Sequence, residues 1–173
     1  MGNPYESGAR KLIPAVLVYV RSRGRILMIH REDGGFHDGK WNGLGGKLDA
    51  DESPLEAARR ELREESGLDL PEKIFTALGT LTFPLFKPQR SEDWVCYVFY
   101  ADLPQSLEEQ QLVASVEGKL HWVLEDDLAR LNLWPGDLYF MPYVQRREPF
   151  IGTIWYRDGK VARHWMEALK GRK

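Results

Sequence analysis

The sequence predicts a single domain of mixed α/β class. Three observations carry that reading. Short apolar, β-branched runs recur between glycine-containing turns. One segment, residues 53–67, carries complete helix-capping chemistry. No repeat, low-complexity tract or linker divides the 173 residues, a length suited to one core.

Taken in order, residues 1–11 are polar and are expected as a flexible lead-in to a domain spanning 12–173. The runs Ala15 to Val20 and Arg25 to His30 flank Arg21-Ser22-Arg23-Gly24 and read as a hairpin. Residues 31–47 hold six glycines, the mark of a loop with unusual backbone angles or close approaches. Ser53 is a suitable N-cap, Pro54 suits the first helical position and Glu56 completes a Ser-x-x-Glu box. Leu55, Ala58 and Leu62 make an apolar stripe, and Gly67 supplies the stop. Residues 74–86 and 93–101 read as strands, with Pro84 weakening the first. Residues 102–118 read as a polar loop, 120–124 as a strand, 126–131 as a short helix and 137–147 as a helix containing Pro142. Runs 151–156 and 161–165 flank Asp158-Gly159, a strong hairpin turn.

Composition narrows the function classes. The chain is 43% apolar and 29% charged, normal for a globular protein. A net charge of −2 gives no basic face for a long nucleic acid, whereas a small anionic ligand held through metal ions suits it. Cys96 is the single cysteine and lies in an apolar run, so it reads as core filler in a reducing compartment. No stretch approaches the roughly 20 apolar residues of a membrane span, and Met1 to Lys11 lacks a signal-peptide core. A cytoplasmic, monomeric protein without membrane contact is expected. Four histidines, His30, His37, His121 and His164, show no zinc spacing.

Glu61, Glu64 and Glu65 fall at i, i+3 and i+4 of the predicted helix, on one face. Like charges at that spacing repel, so helix stability alone gives no reason for them. Carboxylates beside a glycine-rich loop suit a hard divalent cation that is shared with substrate phosphates. Alone, the triplet reads more readily as a solvated face paired with Arg59, Arg60 and Arg63.

The wider spacing decides between these readings. Gly46, Glu52 and Arg60-Glu61-Leu62-Arg63-Glu64-Glu65-Ser66-Gly67-Leu68 together resemble the Nudix box, G-x5-E-x7-R-E-U-x-E-E-x-G-U with U apolar, at every defined position. The resemblance implies a Nudix-type α/β/α sandwich with a mixed central sheet and a catalytic loop-helix-loop. It implies that Glu61, Glu64 and Glu65 bind metal, with the Gly45-Gly46 backbone completing the shell, and that Glu52 and Arg60 brace the loop. Mg²⁺ is the implied cofactor, with Mn²⁺ a substitute, and hydrolysis of a diphosphate linkage the implied reaction.

Outside the box, the chain resembles the MutT-like oxidised purine nucleoside triphosphatases over residues 14–165. Lys40-Trp41-Asn42-Gly43-Leu44-Gly45-Gly46-Lys47 is similar to that group's W-N-G-x-G-G-K segment, which makes Asn42 a base reader. Leu133-Trp134-Pro135-Gly136-Asp137 resembles its W-P-D-D segment, with Trp134 to stack on the purine and Asp137 to read its edge. Phe36 and Phe83 fall at pocket-lining positions, and Glu117 at that of a further metal carboxylate. By residue type alone, Trp134 could instead plug a loop and Asn42 serve a turn. Gly136 departs from the pattern by removing one of two acidic residues.

The resemblance implies a small nucleotide as partner. An oxidised purine triphosphate such as 8-oxo-dGTP leads; ADP-ribose, ordinary dNTPs and RNA 5′ ends are alternatives. A nucleotide-sensing module without catalysis is a further class, disfavoured because Glu52, Glu61, Glu64 and Glu65 are all present.

Overall fold

Along strand β1 (Lys11–Ser22), alternate side chains bury on opposite faces: Ala15 and Tyr19 in one core, Val16, Val18 and Val20 in another. A strand buried on both faces must lie inside a sheet covered on both sides, which is why its sequence is a continuous apolar run. The computed structural model describes residues 2–32, 34, 38–105, 112–113, 115 and 117–169. Among these, eight strands form one mixed sheet.

Strand β1 pairs in parallel with β5 (Glu92–Asp102), from Lys11 opposite Glu92 to Arg21 opposite Asp102. Antiparallel β4 (Phe75–Lys87) follows, then parallel β7 (Phe150–Arg157) and antiparallel β8 (Lys160–Ala168) at the edge. On the other side of β1 lie β2 (Arg25–Arg31), the two-residue β3 (Trp41–Asn42) and β6 (Gly118–Leu124), the last two both paired with β2. Helix α1 (Pro54–Ser66) covers one face through Ala57, Ala58 and Leu62, and α2 (Asp137–Arg146) covers the other through Phe140, Met141 and Val144. The result is the expected sandwich of helix, mixed sheet and helix.

Several expectations are refined. The β1–β2 hairpin exists only at its turn, as Arg21–Ile26 and Ser22–Arg25 pairs. Beyond it the strands part, and the glycine-rich segment fills the opening. Val18 N donates to Leu44 O at 2.7 Å, Val16 N to Gly46 O at 2.8 Å and Leu48 N to Pro14 O at 3.1 Å. The segment read as loop is thus an antiparallel edge to β1.

The start of the chain meets the sheet at Asp93. Tyr5 Oη donates to Asp93 at 2.6 Å, Arg10 pairs with the same buried carboxylate, and Lys11 already belongs to β1. Asp93 also accepts from Leu85 N at 2.6 Å, within the register shift that follows Phe83, where Pro84 can donate nothing to the ladder. The Asp158-Gly159 hairpin turn has both residues at positive φ, as a two-residue turn requires.

Candidate active site

Helix α1 starts and stops as its sequence dictates. Ser53 accepts from Glu56 N, Glu56 caps Ser53 N in return, and Gly67 ends the helix at φ 78°. Its apolar stripe of Ala57, Ala58 and Leu62 seats on the sheet, which turns Glu61 and Glu65 toward the glycine edge. Glu65 is buried, Glu61 is largely buried and Glu64 is exposed.

The approach of loop and helix is close. A Cβ on Gly46 would lie 2.3 Å from Glu61 Oε1, so the carboxylate occupies the space that a side chain there would need. Gly45 N donates to Glu65 Oε2 at 2.8 Å. Gly45 has φ +145°, and its absent Cβ would stand 2.1 Å from Val16 O, so only glycine fits. Along an antiparallel edge successive residues turn their backbone groups to opposite sides. Leu44 and Gly46 bond to β1, which turns Gly45 toward the carboxylates.

Arg60 organises the helix start. It holds both oxygens of Glu52, at 2.9 Å and 2.8 Å, and reaches Lys47 O at 2.9 Å, Glu61 at 2.8 Å and Glu64 at 3.3 Å. Glu52 in turn accepts from Asp49 N at 3.0 Å. The Arg60 guanidinium beside Glu52 holds that carboxyl below its usual range. A fork of two charged hydrogen bonds fixes geometry.

The remaining carboxyls are pushed the other way. Burial raises Glu61, opposed by Arg60 and reinforced by the charges of Glu64 and Glu117. Burial pushes Glu65 up to about 8; the Gly45 amide opposes this, while the charges of Glu117 and Glu61 add to it. Glu117 therefore stands within electrostatic reach of the helix carboxylates, and Arg31 Nη2 holds it at 2.5 Å.

A second group gathers between β3 and α2. A parallel bridge between Trp41 and Leu133 brings Asn42 beside Trp134. Lys40 Nζ ties the two segments, donating to Asn132 Oδ1 at 2.8 Å and Leu133 O at 3.1 Å, and lies 5.5 Å from the Trp134 ring centroid. Asn42 Oδ1 is buried and has no hydrogen-bond partner among the described residues. Burial pushes Asp137 up to about 7, with the Trp134 backbone and Lys40 drawing it down. Phe83 reaches this group through Tyr156, at 6.4 Å between ring centroids. Phe36 lies outside the described residues.

A family model described as the NUDIX domain matches residues 11–144. The chain belongs to the Nudix family. The oxidized purine nucleoside triphosphate hydrolase of Mus musculus is 30% identical over 142 residues, spanning 82% of this chain and 85% of its own. Its namesake from Danio rerio is 32% identical over 145 residues, spanning 84% and 87%. The crystal structure of a MutT protein from Bacillus halodurans shares the fold, with a TM-score of 0.76 at 24% identity over 90% of this chain and 97% of that one.

Nudix hydrolases generally use divalent metal ions. Among the described residues, no three acidic, histidine or cysteine side chains converge into a finished cage. The donor set nevertheless fits a hard cation. Burial, with mutual repulsion added to it, raises Glu61 and Glu65, and the cleft left by Gly46 holds Glu61. The turn of the edge leaves Gly45 better aimed than Gly46, whose carbonyl serves Val16. Two residues that touch the candidate site carried no signal in the sequence. Arg31 holds Glu117, and Tyr156 meets Gly136 from a hairpin 20 residues further along the chain.

Proposed function

We propose that this Nudix hydrolase converts an oxidised purine nucleoside triphosphate, 8-oxo-dGTP foremost, into its monophosphate and pyrophosphate with Mg²⁺. The observation that carries this reading is the buried, unpartnered Asn42 Oδ1, next along the chain from the bridge that pairs Trp41 with Leu133. A buried amide oxygen left unpaired costs about 1–3 kcal/mol, and a purine N–H would satisfy it. The names of the mouse and zebrafish relatives support the same substrate class.

In this reading, Trp134 stacks on the base, Asn42 and Asp137 read its edge, and Phe83 lines the pocket. Phe36 is assigned there by resemblance alone. Glu61, Glu64, Glu65 and Glu117, with the Gly45 carbonyl, hold Mg²⁺, which when bound neutralises charge on the phosphate oxygens. Arg60 and Glu52 keep the loop in place against the helix. A helix carboxylate at hydrogen-bond distance takes the proton of the attacking water. No covalent step by the protein is needed, because phosphoryl transfer relies chiefly on positioning and charge.

A substrate panel with Mg²⁺ tests this, comparing kcat/KM for 8-oxo-dGTP, dGTP, ATP, ADP-ribose and a triphosphorylated RNA. The expected result is a clear preference for 8-oxo-dGTP. A preference for ADP-ribose or RNA would keep the hydrolase chemistry and reduce Asn42, Trp134 and Asp137 to scaffold.

A further inference from the structure

Gly136 stands where a side chain cannot. A Cβ there would lie 2.2 Å from the Tyr156 hydroxyl oxygen, 3.1 Å from its Cζ and 3.4 Å from Ile154 Cδ1. Tyr156 reaches this point from β7, and its oxygen accepts the Gly136 N–H at 2.9 Å. Its ring is fixed beside Phe83 and Phe86, at centroid distances of 6.4 Å and 5.7 Å. The phenol also feels the charge of Asp137, the adjacent acidic residue of the base-reading group. A phenol has one proton, and accepting from Gly136 leaves that proton to be donated elsewhere.

We propose that the Tyr156 hydroxyl is a base-reading donor which, beside the Asp137 carboxylate, selects a 6-oxo purine over a 6-amino purine. This rests on the purine reading given above. A 6-oxo purine presents an acceptor, O6, next to a donor, N1–H. The donor–acceptor pair Tyr156 and Asp137 matches that order. A 6-amino purine presents a donor next to an acceptor, so a proton would face a proton and a carboxylate would face a lone pair. Sites built to hydrogen-bond one pattern reject the other because buried polar groups are left unpaired.

The test compares kcat/KM for 8-oxo-dGTP and 8-oxo-dATP above about pH 8, where the Asp137 carboxyl, held up at about 7, is ionised, in the wild type, in Tyr156→Phe and in Gly136→Ala. Phenylalanine keeps the ring and removes the donor, whereas the alanine methyl displaces the hydroxyl from its place. Both variants should narrow the preference for the 6-oxo substrate by roughly three- to tenfold, the effect of one neutral hydrogen bond. The change should lie in KM, with kcat held. Calorimetric binding of 8-oxo-dGMP and 8-oxo-dAMP without metal should show the same narrowing. An equal loss for both bases, or an unchanged ratio in Tyr156→Phe, would make Tyr156 scaffold and overturn the inference while the purine reading stands. A wild-type preference for ADP-ribose would overturn the purine reading itself.

Discussion

Arg60 holds Glu52 through both carboxylate oxygens, at 2.9 Å from Nε and 2.8 Å from Nη2, across the loop that leads into helix α1. A lysine at this place carries the charge but not the fork. Arg60→Lys is expected to lose about 1–2 kcal/mol of stability. Turnover should fall more steeply than stability, because Lys47 and Glu61 lose the same partner. Thermal unfolding and kcat, measured on one preparation, check both parts.

Glu64 is exposed and meets Arg60 at only 3.3 Å, so the fold asks little of it. Glu64→Gln should unfold at the wild-type temperature yet lose activity on the order of a hundredfold or more, since the charge of one proposed metal ligand is gone. Full activity in that variant would remove Glu64 from the metal site.

Gly46→Ala probes the contact between loop and helix. Its methyl would arrive 2.3 Å from Glu61 Oε1, so the carboxylate must move. Mg²⁺ affinity, followed by calorimetry, should fall in this variant, with a smaller effect on unfolding. Unchanged affinity would mean that Glu61 is not a ligand.

Asp137 sets a pH dependence whose sign follows from its environment. Burial holds its carboxyl up at about 7, above the unfolded value near 4, so the folded state favours the protonated form. Its contribution to stability is therefore full at low pH and is lost as pH rises from about 4 to about 7. The amide of Asp137→Asn cannot ionise. The difference in Tm between variant and wild type should thus shift in favour of the variant between about pH 4 and about pH 7. A difference independent of pH would contradict the raised carboxyl.

Trp134→Ala should raise KM for a purine triphosphate by an amount equivalent to about 1 kcal/mol or more, with kcat little changed. Unchanged kinetics would assign Trp134 to the scaffold.

The sequence made the helix of the site legible because its determinants are local. Ser53, Pro54, Glu56 and Gly67 act within one or two turns, and the structure uses each as expected. The box spacing likewise located Glu52, Arg60 and Glu61, whose contacts lie within that segment and its neighbouring loop. Partnerships over long range were not legible. The apolar run Ala15 to Val20 read as a strand of a hairpin but could not name β5 as its parallel neighbour. The glycines of residues 43–46 read as loop because a strand edge with so little side chain has no alternating pattern to show. Gly136 registered only as a missing acid, since the phenol that fills its place comes from another strand.

The pairing of β1 with β5 bears on how the protein comes off the ribosome. Lys11 to Arg21 find their partners in Glu92 to Asp102, so this central pair cannot close until Asp102 has emerged. Until then the core into which Ala57, Ala58 and Leu62 pack lacks Phe99, Ala101 and Leu103. Parallel pairing over such a separation requires loop closure before any contact rewards it, which makes folding slow and leaves apolar surface open meanwhile. A nascent chain arrested before Asp102 would therefore carry every box carboxylate and still be a target for chaperones or aggregation rather than an enzyme.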